Sequence, residues 1–298
     1  MIKEDYKDLY KPDIINSISG LSLISRVIVD SFLTGFHKSR RVGTGIEFSQ
    51  YRGYEPGDDL RLLDWKMLAR SGKYVLKQAE VDTHISVKFI VDASASMSHT
   101  ENDISKIDFA KVLVASLSKL AIQQGDAVGL LTLNGTSLEQ LQPAVHKQHF
   151  NKLLYQLTTL ENKGKWPAHI EIEQLHDKRH KEIIFFITDL YEVTEEITNV
   201  ITSLKTSRNE VIVLHLMGNK ELEFDYTGQV IFEDLETGQK RKVSTKDIRV
   251  SYLNKLNASI KSIKETLLNS GINYELFYLN DHIGEALQLF LKKRQQLL

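Results

Sequence analysis

Acidic and hydroxyl side chains alternate along a short segment that begins at Asp92. Asp92, Ser94 and Ser96 follow a largely apolar stretch, residues 85–91, and single alanines separate them. A chain that leaves a strand with this alternation turns the three oxygen-bearing side chains toward one point. A carboxylate and two hydroxyls are hard oxygen ligands, which suit Mg²⁺ or Mn²⁺. The spacing supports a second interpretation equally well, in which these side chains cap the next helix and bond loop backbone.

A second carboxylate follows another apolar stretch. Residues 183–188 read Ile-Ile-Phe-Phe-Ile-Thr, and Asp189 comes next. In an open parallel sheet, ligands bind outside the carboxyl ends of the strands, at the point where the strand order reverses. We therefore expect Asp189 to join Asp92 at one edge of a sheet, and to bind a cation directly or through a water molecule.

The rest of the sequence predicts the sheet that positions these groups. Apolar stretches alternate with segments of helical periodicity, which indicates right-handed crossovers and a doubly wound, mostly parallel α/β sheet flanked by helices. The predicted strands are 85–91, 128–133, 183–188, 211–217 and 273–279, and the predicted helices are 104–123, 150–160, 194–204, 245–270 and 282–296. Alternating residues and two glycine-containing turns predict a small β-hairpin insertion at about 221–243.

The first 80 residues predict an extension of the sheet domain. Apolar residues recur at helical spacing from 14 to 36, and residues 42–73 are rich in Gly, Tyr, Arg and Asp, which is typical of an irregular segment. Asp58 or Asp59 is expected to cap a short helix that runs through Trp65. We therefore divide the chain into an N-terminal helix and irregular extension, residues 1–80, packed on a core domain, residues 81–298.

Five charged residues of the extension have two interpretations. They are Arg52, Asp58, Asp59, Arg61 and Asp64. Because opposite charges at this density tend to pair, the five can form an internal network that docks the extension onto the sheet. Alternatively, Arg52, Asp58, Asp59 and Arg61 form a binding platform for a protein partner.

Composition excludes several classes of function. Lys plus Arg number 38 and Asp plus Glu number 39, so no net charge favours nucleic acid or an anionic membrane as a partner. The chain contains no cysteine, which excludes disulfides, thiolate metal sites and cysteine nucleophiles. No stretch approaches the roughly 20 apolar residues that a membrane span needs. We therefore expect a soluble, cytoplasmic protein.

Two groups of motifs resemble a known family. The Asp-x-Ser-x-Ser segment after the first core strand, with Thr-Asp after a later one, resembles the metal-ion-dependent adhesion site of von Willebrand factor A domains. The upstream motifs are similar to those of the family called domain of unknown function 58. They are Gly45-Ile46-Glu47-Phe48, Tyr51-Arg52-Gly53-Tyr54, Pro56-Gly57-Asp58-Asp59, Arg61, Asp64-Trp65 and Ala69-Arg70. Residues 233–238 also resemble that family, and the similarity extends over roughly 21–294.

The resemblance implies a von Willebrand factor A-like domain that serves a MoxR-type AAA+ ATPase as an adaptor or co-chaperone, and that is not an enzyme. It also implies a Mg²⁺ or another divalent cation bound by Asp92, Ser94, Ser96 and Asp189. The adhesion site normally adds a threonine from a Gly-rich loop, and the corresponding segment here, residues 162–166, contains none. Lys165 in that segment would bring a positive charge near the site, or fill the cavity in place of a metal.

Two other functions stay open beside this leading hypothesis of a metal-binding interaction module. A phosphohydrolase of the haloacid dehalogenase type also places its nucleophilic aspartate after the first strand, so Asp92 suits Mg²⁺-dependent phosphate ester hydrolysis. Such an enzyme would want a second aspartate, as general acid, where Ser94 stands. The third possibility is a structural scaffold in which the Asp92 segment binds no metal.

Overall fold

The computed structural model describes residues 7–37, 51–55, 63–77, 85–134, 138–166, 181–191 and 195–295. In these residues the strands are β1 (Tyr51–Gly53), β2 (Val75–Lys77), β3 (Ser86–Asp92), β4 (Thr100–Glu101), β5 (Ile104–Ser105), β6 (Ala127–Leu133), β7 (Leu138–Ala144), β8 (Glu182–Thr188), β9 (Asn209–Met217), β10 (Gln229–Glu233), β11 (Lys240–Ser244) and β12 (Asn273–Tyr278). The α-helices are α1 (Pro12–Ile15), α2 (Ile18–His37), α3 (Trp65–Ser71), α4 (Lys106–Gln123), α5 (Lys147–Thr159), α6 (Glu196–Leu204), α7 (Asn219–Glu223), α8 (Thr245–Asn269) and α9 (Ile283–Gln295).

The described residues divide into two compact units. The larger unit belongs to residues 1–33 and 84–298, and the smaller one to residues 34–83. The sequence-based division into residues 1–80 and 81–298 stays a prediction. Within the described residues, no helix is both long and apolar enough to cross a membrane.

The larger unit is built on a six-stranded sheet with the order β12-β9-β8-β3-β6-β7. Five strands are parallel, and β7 pairs antiparallel with β6 at one edge. After β3 the chain adds β6 and then β7 on one side of it. It then returns to the other side of β3 and adds β8, β9 and finally β12. The strand order therefore reverses between β3 and β8, the position where α/β sheets bind ligands at their carboxyl ends.

Both faces of this sheet are covered, as the nearly continuous apolar strands predict. Along β3, Phe89 and Val91 face one buried cluster and Ile90 faces the other, as the alternation of a strand requires. The first cluster includes apolar side chains of α2, α4, α5 and α9, and the second includes those of α6 and α8. The predicted doubly wound α/β architecture is confirmed.

The N-terminal helical segment is broken, whereas the sequence predicted one continuous helix from 14 to 36. Helix α1 ends at Ile15, and α2 starts at Ile18. The Ser17 hydroxyl donates to the carbonyl of Ile14 at 2.9 Å and accepts from the amide of Gly20 at 3.1 Å. A serine in this position satisfies the free amides of a new helix and so favours a break. Both helices still place apolar side chains in the core, among them Ile15 and Leu21.

The predicted insertion is present as the antiparallel hairpin of β10 and β11. A short helix, α7, precedes it, and the predicted bounds of 221–243 start inside this helix. Four aromatic rings cluster between the hairpin and α8 in tilted and edge-to-face contacts, with centroids of contacting rings between 4.8 and 5.9 Å apart. They belong to Phe224, Tyr226, Phe232 and Tyr252. Such ring contacts fix the hairpin on α8.

In the smaller unit, β1 and β2 pair antiparallel, and α3 lies between them in the chain. The cap of α3 is Asp64, whose Oδ1 accepts from the amides of Lys66 at 2.9 Å and Met67 at 3.1 Å. The prediction of Asp58 or Asp59 as the cap was therefore wrong, because the helix starts later than the sequence suggested. Arg52 lies in β1, paired with Leu76. Asp58, Asp59 and Arg61 lie outside the described residues.

Candidate functional site

The Asp92 segment leaves the carboxyl end of β3 and turns at once. The Asp92 side chain is fully buried. Its Oδ1 accepts from the amide of Ser94 at 2.9 Å, which closes a local turn, and its Oδ2 accepts from the Thr188 hydroxyl at 2.7 Å. The following residues form a 3₁₀ helix, Ala95–Ser98. The carboxylate is thus fixed by two neutral donors from adjacent strand ends.

The other three predicted ligands join Asp92 at this edge. The hydroxyls of Ser94 and Ser96 lie 2.9 Å apart, and Ser96 donates to Oδ1 of Asp189 at 3.1 Å. All three side chains are buried. The structure therefore brings together the four residues that the sequence placed at one site, and their role as metal ligands stays a prediction.

Thr188 is a residue of the site that the sequence interpretation missed. Its hydroxyl donates to Asp92 and accepts from the amide of Leu190 at 2.9 Å. Leu190 has a φ of +50°, a left-handed conformation that is uncommon for leucine. The Thr188 side chain thus joins the two strand ends. The signal was the Thr-Asp pair itself, in which only the aspartate was given a role.

Lys106 is the second missed residue, and it brings a buried positive charge to the site. Its Nζ lies 3.0 Å from Oδ2 of Asp189 and 3.0 Å from Oε1 of Glu221. Burial disfavours the charged ammonium, but the carboxylates of Asp189 and Glu221 outweigh it and raise the pKa of Lys106. The lysine whose ammonium contacts a carboxylate of this site is therefore Lys106, whereas Lys165 is exposed.

The side chain of His215, in β9, contacts the backbone of Asp189. His215 Nε2 lies 2.9 Å from the carbonyl oxygen of Asp189, and Nδ1 lies 2.6 Å from the Tyr274 hydroxyl. Burial lowers the pKa of His215 to about 4, with the charge of Lys106 acting in the same direction. A neutral ring donates through one nitrogen only, so Nε2 donates to the carbonyl and Nδ1 accepts from tyrosine. This contact holds Asp189 in place without adding charge.

Residues 162–166, where the family's threonine is absent, lie beside the Asp92 turn. The amide of Ala95 donates to the carbonyl of Gly164 at 2.9 Å, and the amide of Lys163 donates to the carbonyl of Ala93 at 3.0 Å. Two backbone hydrogen bonds therefore hold this segment against the Asp92 segment. Trp166, at the end of this segment, is buried against Phe186.

Burial and a neighbouring negative charge both act on the Asp92 carboxylate. Burial and then the charge of Asp189 raise the pKa of Asp92 to about 6, although three hydrogen-bond contributions oppose this. Lys106 neutralises Asp189 but contacts no oxygen of Asp92 in the described structure. The donors are two carboxylates and two hydroxyls, a set that fits a hard divalent cation. The described residues contain no group of three or more His, Cys, Asp or Glu side chains already arranged for a metal, so a cation at this edge would need the serine hydroxyls as further ligands.

A close contact at the end of β9 gives a stability test for the region beside Lys106. An added Cβ at Gly218 would lie 2.1 Å from Oε1 of Glu101, a buried side chain that accepts from the amide of Lys220 at 2.9 Å. We expect Gly218→Ala to lower the free energy of unfolding by about 1–3 kcal/mol, because the buried carboxylate has little room to move. Urea unfolding measures this. Gly53→Ala is the control, since its Cβ would meet no described atom within 4 Å. Equal stability of the two variants would contradict the contact.

Comparison with solved structures finds von Willebrand factor A-like neighbours. BatB from Bacteroides thetaiotaomicron is 14% identical, with a TM-score of 0.43, over 71% of this chain and 99% of that one. An aerotolerance-related membrane protein from Bacteroides fragilis is 15% identical, with a TM-score of 0.46, over 72% and 100%. A von Willebrand factor type A protein from Catenulispora acidiphila is 12% identical, with a TM-score of 0.40, over 70% and 42%. These similarities concern the fold alone.

Comparison of sequences finds closer relatives. The uncharacterized protein Rv1480 of Mycobacterium tuberculosis is 25% identical over 244 residues, which cover 80% of this chain and 75% of the relative. The uncharacterized protein Mb1516 of Mycobacterium bovis gives the same values. The family model described as "Protein of unknown function DUF58" matches residues 50–261. This match spans most of the chain and includes both Asp92 and Asp189, and so the protein belongs to the DUF58 family.

Proposed function

We propose that this protein is a non-catalytic, cytoplasmic interaction module that serves a MoxR-type AAA+ ATPase as an adaptor or co-chaperone. Its partner binds at the carboxyl edge of the sheet, around Asp92. The observation that carries the proposal is the meeting of Asp92, Ser94, Ser96 and Asp189 between β3 and β8, where the strand order reverses. The von Willebrand factor A-like fold supports it, since this edge is the ligand-binding position of such sheets.

We propose further that Mg²⁺, or another divalent cation, binds at this edge. The support is the charge of Asp92, which is buried, bonded only to neutral donors and repelled by Asp189. One oxygen of Asp189 is engaged by Lys106, so its contribution comes from Oδ1, the oxygen that accepts from Ser96. A bound divalent cation would supply an electrophilic centre that accepts a carboxylate oxygen from a protein partner.

We propose a separate partner-binding surface on the smaller unit. Arg52, Asp58, Asp59 and Arg61 belong to it, and they are proposed to contact the ATPase.

The test measures how tightly the chain binds the MoxR-type AAA+ ATPase of the same organism, by calorimetry, in Mg²⁺ and in EDTA. We expect Asp92→Asn to weaken binding in Mg²⁺ by at least about tenfold, because it removes the charged donor, and EDTA to weaken wild-type binding comparably. Asp13→Asn, an exposed position in α1, is the matched control and should bind like wild type. Equal affinity of wild type and Asp92→Asn, unaffected by EDTA, would refute the proposal.

The phosphohydrolase hypothesis gains no support from the site. Ser94 stands where a second acid would be required, and its hydroxyl contacts the Ser96 hydroxyl at 2.9 Å. A serine hydroxyl does not serve as a general acid near neutral pH. Mg²⁺-dependent turnover of p-nitrophenyl phosphate that disappears in Asp92→Asn would reverse this preference.

A further inference from the structure

Strand β12 forms one edge of the six-stranded sheet, and no described residue pairs with its outer side. On its inner side, the amide of Leu279, the residue directly after β12, donates to the carbonyl of Met217 in β9 at 3.0 Å. The backbone groups of successive residues point to opposite sides of a strand, so the odd-numbered residues of β12 face β9. Tyr274 and Leu276 therefore direct their amides and carbonyls to the free edge.

A cleft of about 500 Å³ lies at this edge, between α8, β12 and α9. Two aromatic residues that line it belong to opposite faces of the sheet. Tyr274 packs against the buried cluster on the α8 face, and Phe290 belongs to the cluster on the α9 face. Because one cleft reaches both faces, it passes round the outer side of β12. Its volume is within the range of ligand-binding clefts, roughly 300–1,000 Å³.

The cleft has one positive charge in excess. Three cationic and two anionic side chains line it, namely Lys264, Lys293, Arg294, Glu210 and Glu275. Arg294 donates to both carboxylate oxygens of Glu210, at 2.6 and 2.5 Å, and Lys293 donates to Glu275 at 2.7 Å. Lys264 has no carboxylate partner among the described residues, and its ammonium lies 6.0 Å from the centre of the Tyr274 ring. The unneutralised charge is therefore on the α8 face, beside Tyr274.

We propose that the outer side of β12 binds an extended acidic peptide segment of a protein partner, which adds to the sheet as a further strand. The free backbone groups of Tyr274 and Leu276 supply the main-chain hydrogen bonds of this mode of binding. In an added strand, the residue opposite Tyr274 lies about 5 Å from it on the same face. An acidic side chain at that position therefore meets the ammonium of Lys264.

The charge of the edge selects this occupant over a second copy of the chain. Lysines beside a free edge disfavour pairing with an identical edge, which would bring like charges together, and they favour a segment of opposite charge. The start of β12 lies at the amino end of the parallel strands, whereas Asp92 and Asp189 lie at their carboxyl end. The edge is thus a second docking site, and it needs no cation.

The experiment adds a capped hexapeptide of alternating valine and glutamate to the isotope-labelled full chain, and follows amide hydrogen exchange by NMR. At saturating peptide, we expect exchange of the Tyr274 and Leu276 amides to slow by at least about tenfold, because they become hydrogen-bonded. The amides of Glu275 and Phe277 already face β9, so their exchange should not change. The same titration gives the dissociation constant.

Matched changes in the peptide and in the chain test the charge. Replacement of glutamate by lysine in the peptide, or Lys264→Gln in the chain, should weaken binding by at least about threefold, as expected for a partly exposed ion pair. Lys261→Gln is the control, because Lys261 is an exposed residue of the same helix that pairs with Glu265 at 3.9 Å. Asp92→Asn should bind the peptide like wild type, which separates this site from the proposed cation site.

Unchanged exchange of the Tyr274 and Leu276 amides at millimolar peptide would overturn the inference. Equal affinity for the glutamate and lysine peptides would do the same. Slow exchange of these two amides before any peptide is added would show that the edge is already covered. A second copy covers it if the protection rises with protein concentration, and the chain itself covers it if the protection does not. Either result would also overturn the proposed occupant.

Discussion

Replacement of Lys106 by methionine is expected to lower the free energy of unfolding by about 3–5 kcal/mol. The Lys106 ammonium lies 3.0 Å from both Asp189 and Glu221, and its side chain is 4% exposed. Methionine fills a similar volume but leaves Asp189, which is 2% exposed, without its counter-charge. An unpaired buried carboxylate is far less stable than a paired one. Urea unfolding at pH 7, followed by circular dichroism, measures the difference.

The control for this change is Lys163→Met. Lys163 forms an ion pair of 2.7 Å with Glu161, but both side chains are more than half exposed. Solvent screens such a pair, so the loss of stability should stay below about 1 kcal/mol. The carboxylates of Asp189 and Glu221 raise the pKa of Lys106 above 10.5. The stability that the Lys106 ion pairs contribute is therefore complete at neutral pH, and it is lost only as pH rises through this raised pKa. A loss below about 1 kcal/mol in Lys106→Met would show that Asp189 has another counter-charge.

The sheet could be predicted because its central strands are buried on both faces. A strand covered by helices is apolar along its whole length, and β8, with Ile184, Phe186 and Ile187 almost fully buried, is a clear case. The edge strand β7 was missed for the opposite reason. It contains Glu139, Gln140 and Pro143 and is exposed along much of its length. Proline and polar residues suit an edge but give no apolar signal.

The sequence predicted the part of the candidate site that follows from strand ends, and it missed Lys106, which does not lie at a strand end. Asp92 and Asp189 both follow predicted strands, and parallel strands bring their carboxyl ends to one edge. Lys106 starts a helix, where a lysine is normally exposed and unfavourably placed with respect to the helix dipole. Its partners lie 83 and 115 positions away in the chain. Only the folded structure shows that this charge is buried between two carboxylates.

The β10–β11 hairpin illustrates the same limit. The segment 233–238 was singled out by its resemblance to the family, and its turn residues predicted a hairpin. Neither signal gives the direction in which a hairpin folds back. The direction follows from the aromatic cluster, in which Phe232 of β10 contacts Phe224 and Phe224 contacts Tyr252 of α8. These contacts join residues that are far apart in the sequence.

Asp92→Asn is expected to stabilise the metal-free protein, raising its free energy of unfolding in EDTA at pH 7.5 by about 1–3 kcal/mol. The pKa of Asp92 is raised from 3.8 to about 6 by burial and by the charge of Asp189. The ionised side chain is therefore a net cost to the folded state at neutral pH. Asparagine keeps the shape and can still accept from the amide of Ser94. Urea unfolding in EDTA from pH 4 to pH 8 measures the effect.

The pH dependence of this difference identifies its cause. A carboxyl with a raised pKa stabilises the fold most below its unfolded pKa of 3.8, and this contribution is lost as pH rises through about 6. Wild type and Asp92→Asn should therefore converge near pH 4 and separate above pH 6. Asp103→Asn is the control, because Asp103 is exposed with a φ of +64°, which asparagine tolerates.

Excess Mg²⁺ should stabilise wild type and leave Asp92→Asn unchanged, since a cation that binds only the folded state shifts the equilibrium toward it. If Asp92→Asn is instead less stable than wild type in EDTA at pH 7.5, the carboxylate is a structural cap of its own turn, and the case for a cation at this edge loses its main support.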